Sequence, residues 1–462
     1  MSTPPLPNDV EIDPGRSQLR PLLTLAWPVV MSRLGIMVMG LTDTIVVGRY
    51  SADELAYHSL GWAPTMVVVT TAIGLLLGVQ VLTAQLVGER RAGEAGSVLR
   101  RGIVFAAVVG ILSSGGLYLG ADALMSRMGL VGNLAPESAA VVRILALSLT
   151  PYLIAVACQF WLEALKKPVP AMIIMWGANI LNLALSLWLV PGDNIFGIDG
   201  AVAAGWTTLG ARTALLCGLI GFIFTWPEAR SKFGLLVRGT GRYWRELFRI
   251  GFAAAASLFV ETAGFAAMNI VAGQIGALTV AGFAILLNIA AMVFMVPLGL
   301  ASATAVLVGN GFGERDFDRV RAGGWTGIGF TAALMTAIAI IVWLLDAPIV
   351  SVFTTEAELT AMLVPAVALA AFFFTMDGLQ VVASNALRAM DDVWLPTLTH
   401  TISYVGVMLP LGWWLAVPVG MGLSGLVWAI IAASISAGGF LIARFAWLTR
   451  KGAALRLRRD SL

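Results

Sequence analysis

The stretch Gly251–Ile270, GFAAAASLFVETAGFAAMNI, decides how the rest of the chain is read. It is apolar throughout except for one ionisable residue, Glu261. About 20 apolar residues is the length a helix needs to cross a bilayer. A carboxylate halfway along such a helix is expensive and is usually retained for function. The whole chain has the matching composition. Of its 462 residues 59% are hydrophobic and only 12% charged, and mean hydropathy is +0.88. Soluble domains carry roughly 25% charge. Fifty glycines and 19 prolines suit packed membrane helices, in which neighbours tolerate breaks and close backbone approach.

Twelve apolar segments predict an all-α polytopic membrane protein, at 22–48, 58–86, 98–120, 139–163, 169–190, 200–225, 247–271, 279–308, 323–346, 361–387, 395–417 and 423–447. They are too long and too uniformly apolar for barrel strands. The N-terminus, MSTPPLPNDVEIDPGRSQLR, lacks the charged start and short apolar core of a signal peptide, so the first segment is expected to be a retained membrane helix. Basic residues concentrate in alternate loops: Arg90, Arg91, Arg100 and Arg101; Lys166 and Lys167; Arg230 to Arg249; Arg315, Arg319 and Arg321; and the tail from Arg450. The positive-inside bias then predicts that both termini and the central linker are cytoplasmic.

The two halves repeat at an offset of 225 residues, which pairs Gly48 with Gly273, Gly74 with Gly299 and Gly88-Glu89-Arg90 with Gly313-Glu314-Arg315. It also pairs Leu162 with Leu387 and Gly200 with Gly425. One ungapped offset from the first segment to the last predicts two pseudo-symmetric six-helix bundles with a solute path between them. The expected organisation is an N-terminal tail 1–21, a first bundle 22–225, a linker 226–246, a second bundle 247–447 and a basic tail 448–462.

Four ionisable residues stand out inside the first, seventh and tenth segments: Arg33, Asp43, Glu261 and Asp377. Charges at such depth face a bundle interior or a wet cavity and find partners. A buried carboxylate can hold a proton or a small cation, which is the minimum an ion-coupled antiporter requires. Asp377 lies near Ser384 and Asn385, which could instead form a structural polar cluster, and Asp43 lies toward the outer end of its helix, where capping contacts compete. Arg33 reads as a counter-ion to a carboxylate on another helix. Asn179, Asn182 and Asn288 read first as interhelical hydrogen-bonding amides. Pro28, Pro297 and Pro365 predict kinks. Cys158 and Cys217 form no disulfide framework, His58 and His400 no triad or zinc site, and there is no phosphate-binding glycine loop or nucleophile elbow. These features speak against an enzyme, the small net charge of +3 is not read as a nucleic-acid footprint, and no cofactor is expected.

These residues, taken in order, carry a resemblance. Pro28, Asp43-Thr44, Gly48 and Leu55-Ala56 come first, then TAQLVGERRAGE at 83–94, Asn182, FVETAGF at 259–265, and Asn288 with MVFMVPLGL at 292–300. VGNGFGERD at 308–316 and MDGLQVVASNALRAMDD at 376–392 complete it. The chain resembles the multidrug and toxic compound extrusion (MATE) family along essentially its whole length, and its Glu261 context and Asp377 resemble the NorM-like branch. The resemblance implies a secondary antiporter of the bacterial inner membrane that exports cationic amphipathic compounds in exchange for Na⁺ or H⁺. Glu261, Asp377 and Asp43 match the family's coupling residues, and Glu261 with Asp377 would hold the ion if it is Na⁺. Asn288, Asn182 and Arg33 are the further candidates for contacts to substrate or ion. The expected partners are small cationic drugs and the lipid bilayer, with the protein acting as a monomer. Three positions depart from the branch: Phe283-Ala284 stands where a His-Gln pair is common, Ser186 where a second Asn is common, and Arg33 is not part of the general pattern. A related flippase for a lipid-linked saccharide is the alternative reading, and a non-transporting receptor a third.

Overall fold

The computed structural model describes residues 18–128, 133–236, 243–354 and 356–450. The N-terminal tail up to residue 17, the middle of the linker at 237–242 and the basic tail from 451 lie outside the described residues. The helices are α1 (Leu19–Tyr50), α2 (Ala52–Gly88), α3 (Ala95–Arg127), α4 (Leu134–Leu147), α5 (Leu149–Ala164), α6 (Pro168–Leu189) and α7 (Gly200–Thr225). A short α8 (Pro227–Ser231) precedes α9 (Trp244–Ile275), α10 (Ala277–Gly313), α11 (Phe317–Leu344), α12 (Asp346–Phe353), α13 (Ala357–Ala389), α14 (Trp394–Thr401), α15 (Leu409–Ala416) and α16 (Gly422–Leu448). Among the described residues there is no strand. Eleven helical stretches are long and apolar enough to span a membrane, with α4 and α5 counted as one around Ser148. The eleventh of the twelve expected segments is the exception. Residues 394–416 are helical throughout, but α14 and α15 are separated by a π-helical stretch, Ile402–Met408. Pro28, Pro297 and Pro365 sit inside continuous α1, α10 and α13.

The repeat seen in the sequence is also a repeat of geometry. Four non-glycine residues have positive φ among the described residues: Arg90 and Arg315, Lys166 and Asp391. Each pair differs by the same 225 positions. All four end a helix in the same way, the residue after the left-handed one donating its N–H five residues back, as Arg91 to Leu86 and Asp316 to Gly311, or Lys167 to Leu162 and Asp392 to Leu387. This Schellman closure satisfies carbonyls that the helix end leaves free. Arg, Lys or Asp in place of glycine at such a position costs about 1–2 kcal/mol.

The halves meet under the same symmetry. At its start α1 leans onto the second half, where Leu22, Leu25 and Ala26 join a core with α10, α13 and α16. At its start α9 leans onto the first half, where Leu247, Ile250 and Ala253 join the core built on α2, α3, α5, α6 and α7. Gly74 of α2 lies against Ala255 of α9, and its repeat mate Gly299 of α10 against Val30 of α1. Gly88 lies against the Asn310 carbonyl, and its mate Gly313 against that of Gln85. A Cβ at Gly88 or Gly313 would sit 2.0 or 2.1 Å from those oxygens, so the close approach requires glycine at both. Hydrogen bonds between the halves fall in the same region: Gln85 Nε2 donates to the Ala389 carbonyl at 3.0 Å and Asn310 Nδ2 to the Ala84 carbonyl at 3.1 Å. The halves are therefore closed together at the end that carries the basic loops. The first part of the linker is docked there too. Phe233 and Trp226 pack on Trp161, and the Gly96 N–H donates to the Phe233 carbonyl.

Gly88→Ala and Gly313→Ala should wedge this closed end apart, at about 1–3 kcal/mol each for overpacking. The expected outcome is well-folded protein whose two halves part more readily at this end. A cysteine placed at Ala84 should react faster with an impermeant maleimide added from the basic-loop side. Unchanged labelling would show that the close approach is not part of the closed state.

Candidate functional site

Two polar clusters and one bridging ion pair lie inside the helices. The first cluster is in the second half. Glu261 on α9 and Asp377 on α13 are 7% and 6% exposed, and Tyr404 and Gln380 between them are fully buried. The Tyr404 hydroxyl donates to Glu261 Oε1 at 3.2 Å. Gln380 Nε2 donates to Asp377 Oδ1 at 2.8 Å and to the Tyr404 oxygen at 2.5 Å. The two carboxylates found in the sequence are thus linked through two side chains that periodicity did not single out. The π-helical stretch places Tyr404 there, and such a widened turn is often found at functional positions. Its repeat counterpart at 177–183 is in the unbroken α6, so this distortion belongs to the second half alone. Ser384 and Asn385, the alternative partners for Asp377, bond to the carbonyl of Val381 in their own helix instead. Gln380 Oε1 is buried without a partner among the described residues. It is a hard oxygen of the kind small cations prefer, on the side chain whose Nε2 bonds Asp377. Next to this chain His400 Nδ1 lies 3.0 Å from Ser257 Oγ, and Arg388 is buried within electrostatic reach of Glu261.

The second cluster surrounds Asp43, which is fully buried. No cap or loop holds it. Ser186 Oγ of α6 donates to Oδ1 at 3.2 Å and Thr208 Oγ1 of α7 to Oδ2 at 2.5 Å. Asn182 donates to Thr207 Oγ1 at 3.4 Å in the same group. Arg212 of α7 stacks on Tyr152, 4.4 Å from the ring centroid, and donates to Ser148 Oγ at 2.7 Å. Asp43 is within its electrostatic reach. Asn179 and Asn288 do not join either cluster. Each donates to a carbonyl of its own helix, and Asn288 is exposed.

The bridging pair involves Arg33, whose Nη2 is 3.1 Å from Glu163 Oε1 on α5. Gln80 Nε2 and Ser302 Oγ also donate to Glu163 Oε2, at 2.8 and 2.7 Å. Ser302 belongs to α10, so this carboxylate ties the first half to the second. Glu163, Arg212 and Arg388 are ionisable residues at membrane depth beyond the four read from the sequence. Glu163 is the last residue of its apolar segment and Arg388 the first beyond its own, so both look like helix ends. Arg212 lies inside the sixth segment, and a full census of charge within segments would have found it.

Cutting Arg33 to Met should strand the Glu163 carboxylate and lower stability by about 3–5 kcal/mol. The double variant Arg33→Met, Glu163→Leu should recover much of that loss in a thermal-unfolding assay in detergent. A double variant no more stable than the single one would show that the pair does more than neutralise itself.

Comparisons with known proteins agree along the whole chain. The MatE family model matches residues 28–188 and 253–414. A probable multidrug resistance protein NorM of Caulobacter vibrioides is 44% identical over 95% of this chain and 94% of its own length. One from Mesorhizobium japonicum is 30% identical over 94% of each. The crystal structure of the eukaryotic MATE transporter AtDTX14 superposes with a TM-score of 0.87 at 18% identity, over 96% of this chain and 98% of that one. A MOP superfamily transporter from Pyrococcus furiosus, reported with a binding pocket of reversed polarity, superposes with a TM-score of 0.85 at 17% identity, over 95% and 98%. At those identities the solved structures speak to the fold, which is theirs. The family is one of transporters rather than enzymes, and the chain belongs to it: a MATE family member of the NorM-like branch.

Proposed function

We propose that the chain is a secondary antiporter that exports cationic amphipathic compounds across the bacterial inner membrane in exchange for Na⁺ or H⁺. The observation that carries this reading is the buried chain Glu261–Tyr404–Gln380–Asp377. Two carboxylates held together in a low-dielectric interior favour uptake of a compensating cation. In the cycle the closed basic-loop end opens, drug enters between the halves, and the halves then re-close behind it. The cation binds Glu261 and Asp377 from the far side and weakens the drug site. By linkage, drug weakens cation binding by the same factor. On this reading an ion that takes Glu261 competes with the Tyr404 hydroxyl, which donates to Glu261 and accepts from Gln380. Asp43 and Asn182 serve the same reading as a second coupling position in the first half. Both termini and the linker face the cytoplasm, and one chain suffices. NorM relatives carry the name of multidrug resistance proteins, which supports drug-like solutes. The flippase alternative calls for a cationic cleft, yet the three buried arginines are at most 5% exposed and turned into the bundle interiors.

Dye efflux from proteoliposomes, under an imposed Na⁺ gradient and separately under a proton gradient, tests this reading. One gradient should drive efflux, and Glu261→Gln should abolish it while the protein stays monodisperse in detergent. Efflux that survives in Glu261→Gln would sink the mechanism. Tyr404→Phe keeps the ring and loses one hydrogen bond worth about 1 kcal/mol. It should change the half-saturating cation concentration by about fivefold while leaving maximal efflux close to wild type.

A further inference from the structure

Where α7 ends, the chain forms an open cleft of about 410 Å³ lined by Phe224, Thr225, Pro227 and Arg230. Small-ligand sites occupy roughly 300–1,000 Å³. The apolar α7 is long enough to span a membrane and stops at Thr225, so the cleft lies at the level of the lipid headgroups on the basic-loop side. α7 packs on α1, α2, α4, α5 and α6, all in the first half. The cleft is therefore on the flank of that half and not on the path between the halves. Its wall is firmly built. The Trp226 ring is 5.3 Å from that of Phe233 and 6.2 Å from that of the fully buried Trp161. The segment after α8 is fastened to α3. The Phe233 carbonyl accepts from the Gly96 N–H at 2.7 Å, and the Gly234 carbonyl from Arg100 Nη1 at 3.3 Å.

Three cations surround this wall. Arg230 lines the cleft, Lys167 Nζ lies 6.0 Å from the Trp226 ring centroid and Lys232 Nζ 5.6 Å from that of Phe233. All three are exposed, and none is in an ion pair among the described residues. Glu228, the carboxylate of α8, is exposed and in no ion pair there either. An ammonium resting on a ring face keeps its N–H groups available to an anion. Phe224, 47% exposed, adds an apolar face to the same cleft. The repeat sharpens the point. Under the 225-residue offset Lys166 and Lys167 correspond to Asp391 and Asp392. Those aspartates are neutralised inside the protein, by Arg249 and by Arg444. The second half closes this turn with its own counter-charges, whereas the first leaves Lys167 without one.

We propose that this cleft holds a resident anionic phospholipid of the adjoining leaflet. Arg230 and Lys167 hold its phosphodiester, and its acyl chains run along Phe224 and the apolar flank of α7. Three cations against one carboxylate select a headgroup with net negative charge over a zwitterionic one. The lipid supplies from outside the counter-charge that the second half supplies from within. This inference does not depend on the antiport reading.

The test titrates the full-length protein, in a neutral detergent, with dioleoylphosphatidylglycerol and counts bound lipid by native mass spectrometry. The wild type should show one saturable site, with phosphatidylcholine of the same chains about tenfold weaker. The double variant Lys167→Gln, Arg230→Gln should raise the half-saturating concentration about tenfold, or about threefold per cation. Arg230→Lys keeps the charge and should stay within about twofold of wild type. Arg20 and Arg321 are exposed basic residues of the same end of the molecule, so Arg20→Gln, Arg321→Gln removes equal charge away from the cleft and should leave binding unchanged. Equal weakening by that pair would show diffuse attraction and overturn the site. So would the absence of saturable binding, or a Lys167→Gln, Arg230→Gln variant that binds like wild type. Inorganic phosphate should fail to displace the lipid; displacement would make this a free-phosphate site and overturn the lipid assignment.

Discussion

The structure depends on one constraint, which is that a charge buried away from water must be answered by another charge or by several hydrogen bonds. The described residues meet it in three separate ways. Glu163 is answered completely, by Arg33 and two neutral donors. Asp43 is answered by hydroxyls, with Arg212 nearby. Glu261 and Asp377 are answered in part, by one phenol and one amide, with Arg388 in electrostatic reach of Glu261. Under the proposed antiport, that last shortfall is where a transported cation would contribute.

The same constraint explains the backbone. In a membrane every N–H and C=O must be satisfied within the protein, which leaves long helices and tightly closed helix ends. The four left-handed Schellman closures sit at the basic-loop end, where the chain turns back sharply. Gly88 and Gly313 bring the backbones of the two halves together at that end without a side chain between them, and Gly74 and Gly299 allow close approach further along α2 and α10. Small residues permit such approach where lipid gives helices no hydrophobic reason to associate.

Much of this was legible in the sequence. Segment lengths gave the helices, and the 225-residue offset gave the internal symmetry, while which residues touch across the halves came only with the structure. Glu261 and Asp377 announced themselves as charges in apolar surroundings. What stayed hidden is what one-dimensional periodicity cannot encode. Tyr404 reads as an aromatic in a membrane helix, and only a widened turn aims its hydroxyl at Glu261. Gln380 is a polar residue three positions from Asp377 whose role appears once α13 is packed. Glu163 and Arg388 sit at segment boundaries, where a charge normally means water. Asn288 was misleading in the opposite sense, since an amide midway along an apolar helix looked like an interhelical contact and turns out to bond to its own turn.

The symmetric meeting of α2 with α10 has a consequence for how such proteins can be recombined. Because Gly88 faces residue 310 while Gly313 faces residue 85, each half supplies both a notch and the carbonyl that fills the other's notch. Interchanging whole halves between relatives therefore preserves this seam wherever both parents keep the two glycines. Glu163 is different, since its Ser302 partner has no equivalent across the repeat, where the corresponding position is Leu77. A hybrid that kept the seam but lost Ser302 would close normally and lack the one-sided latch that tells its halves apart.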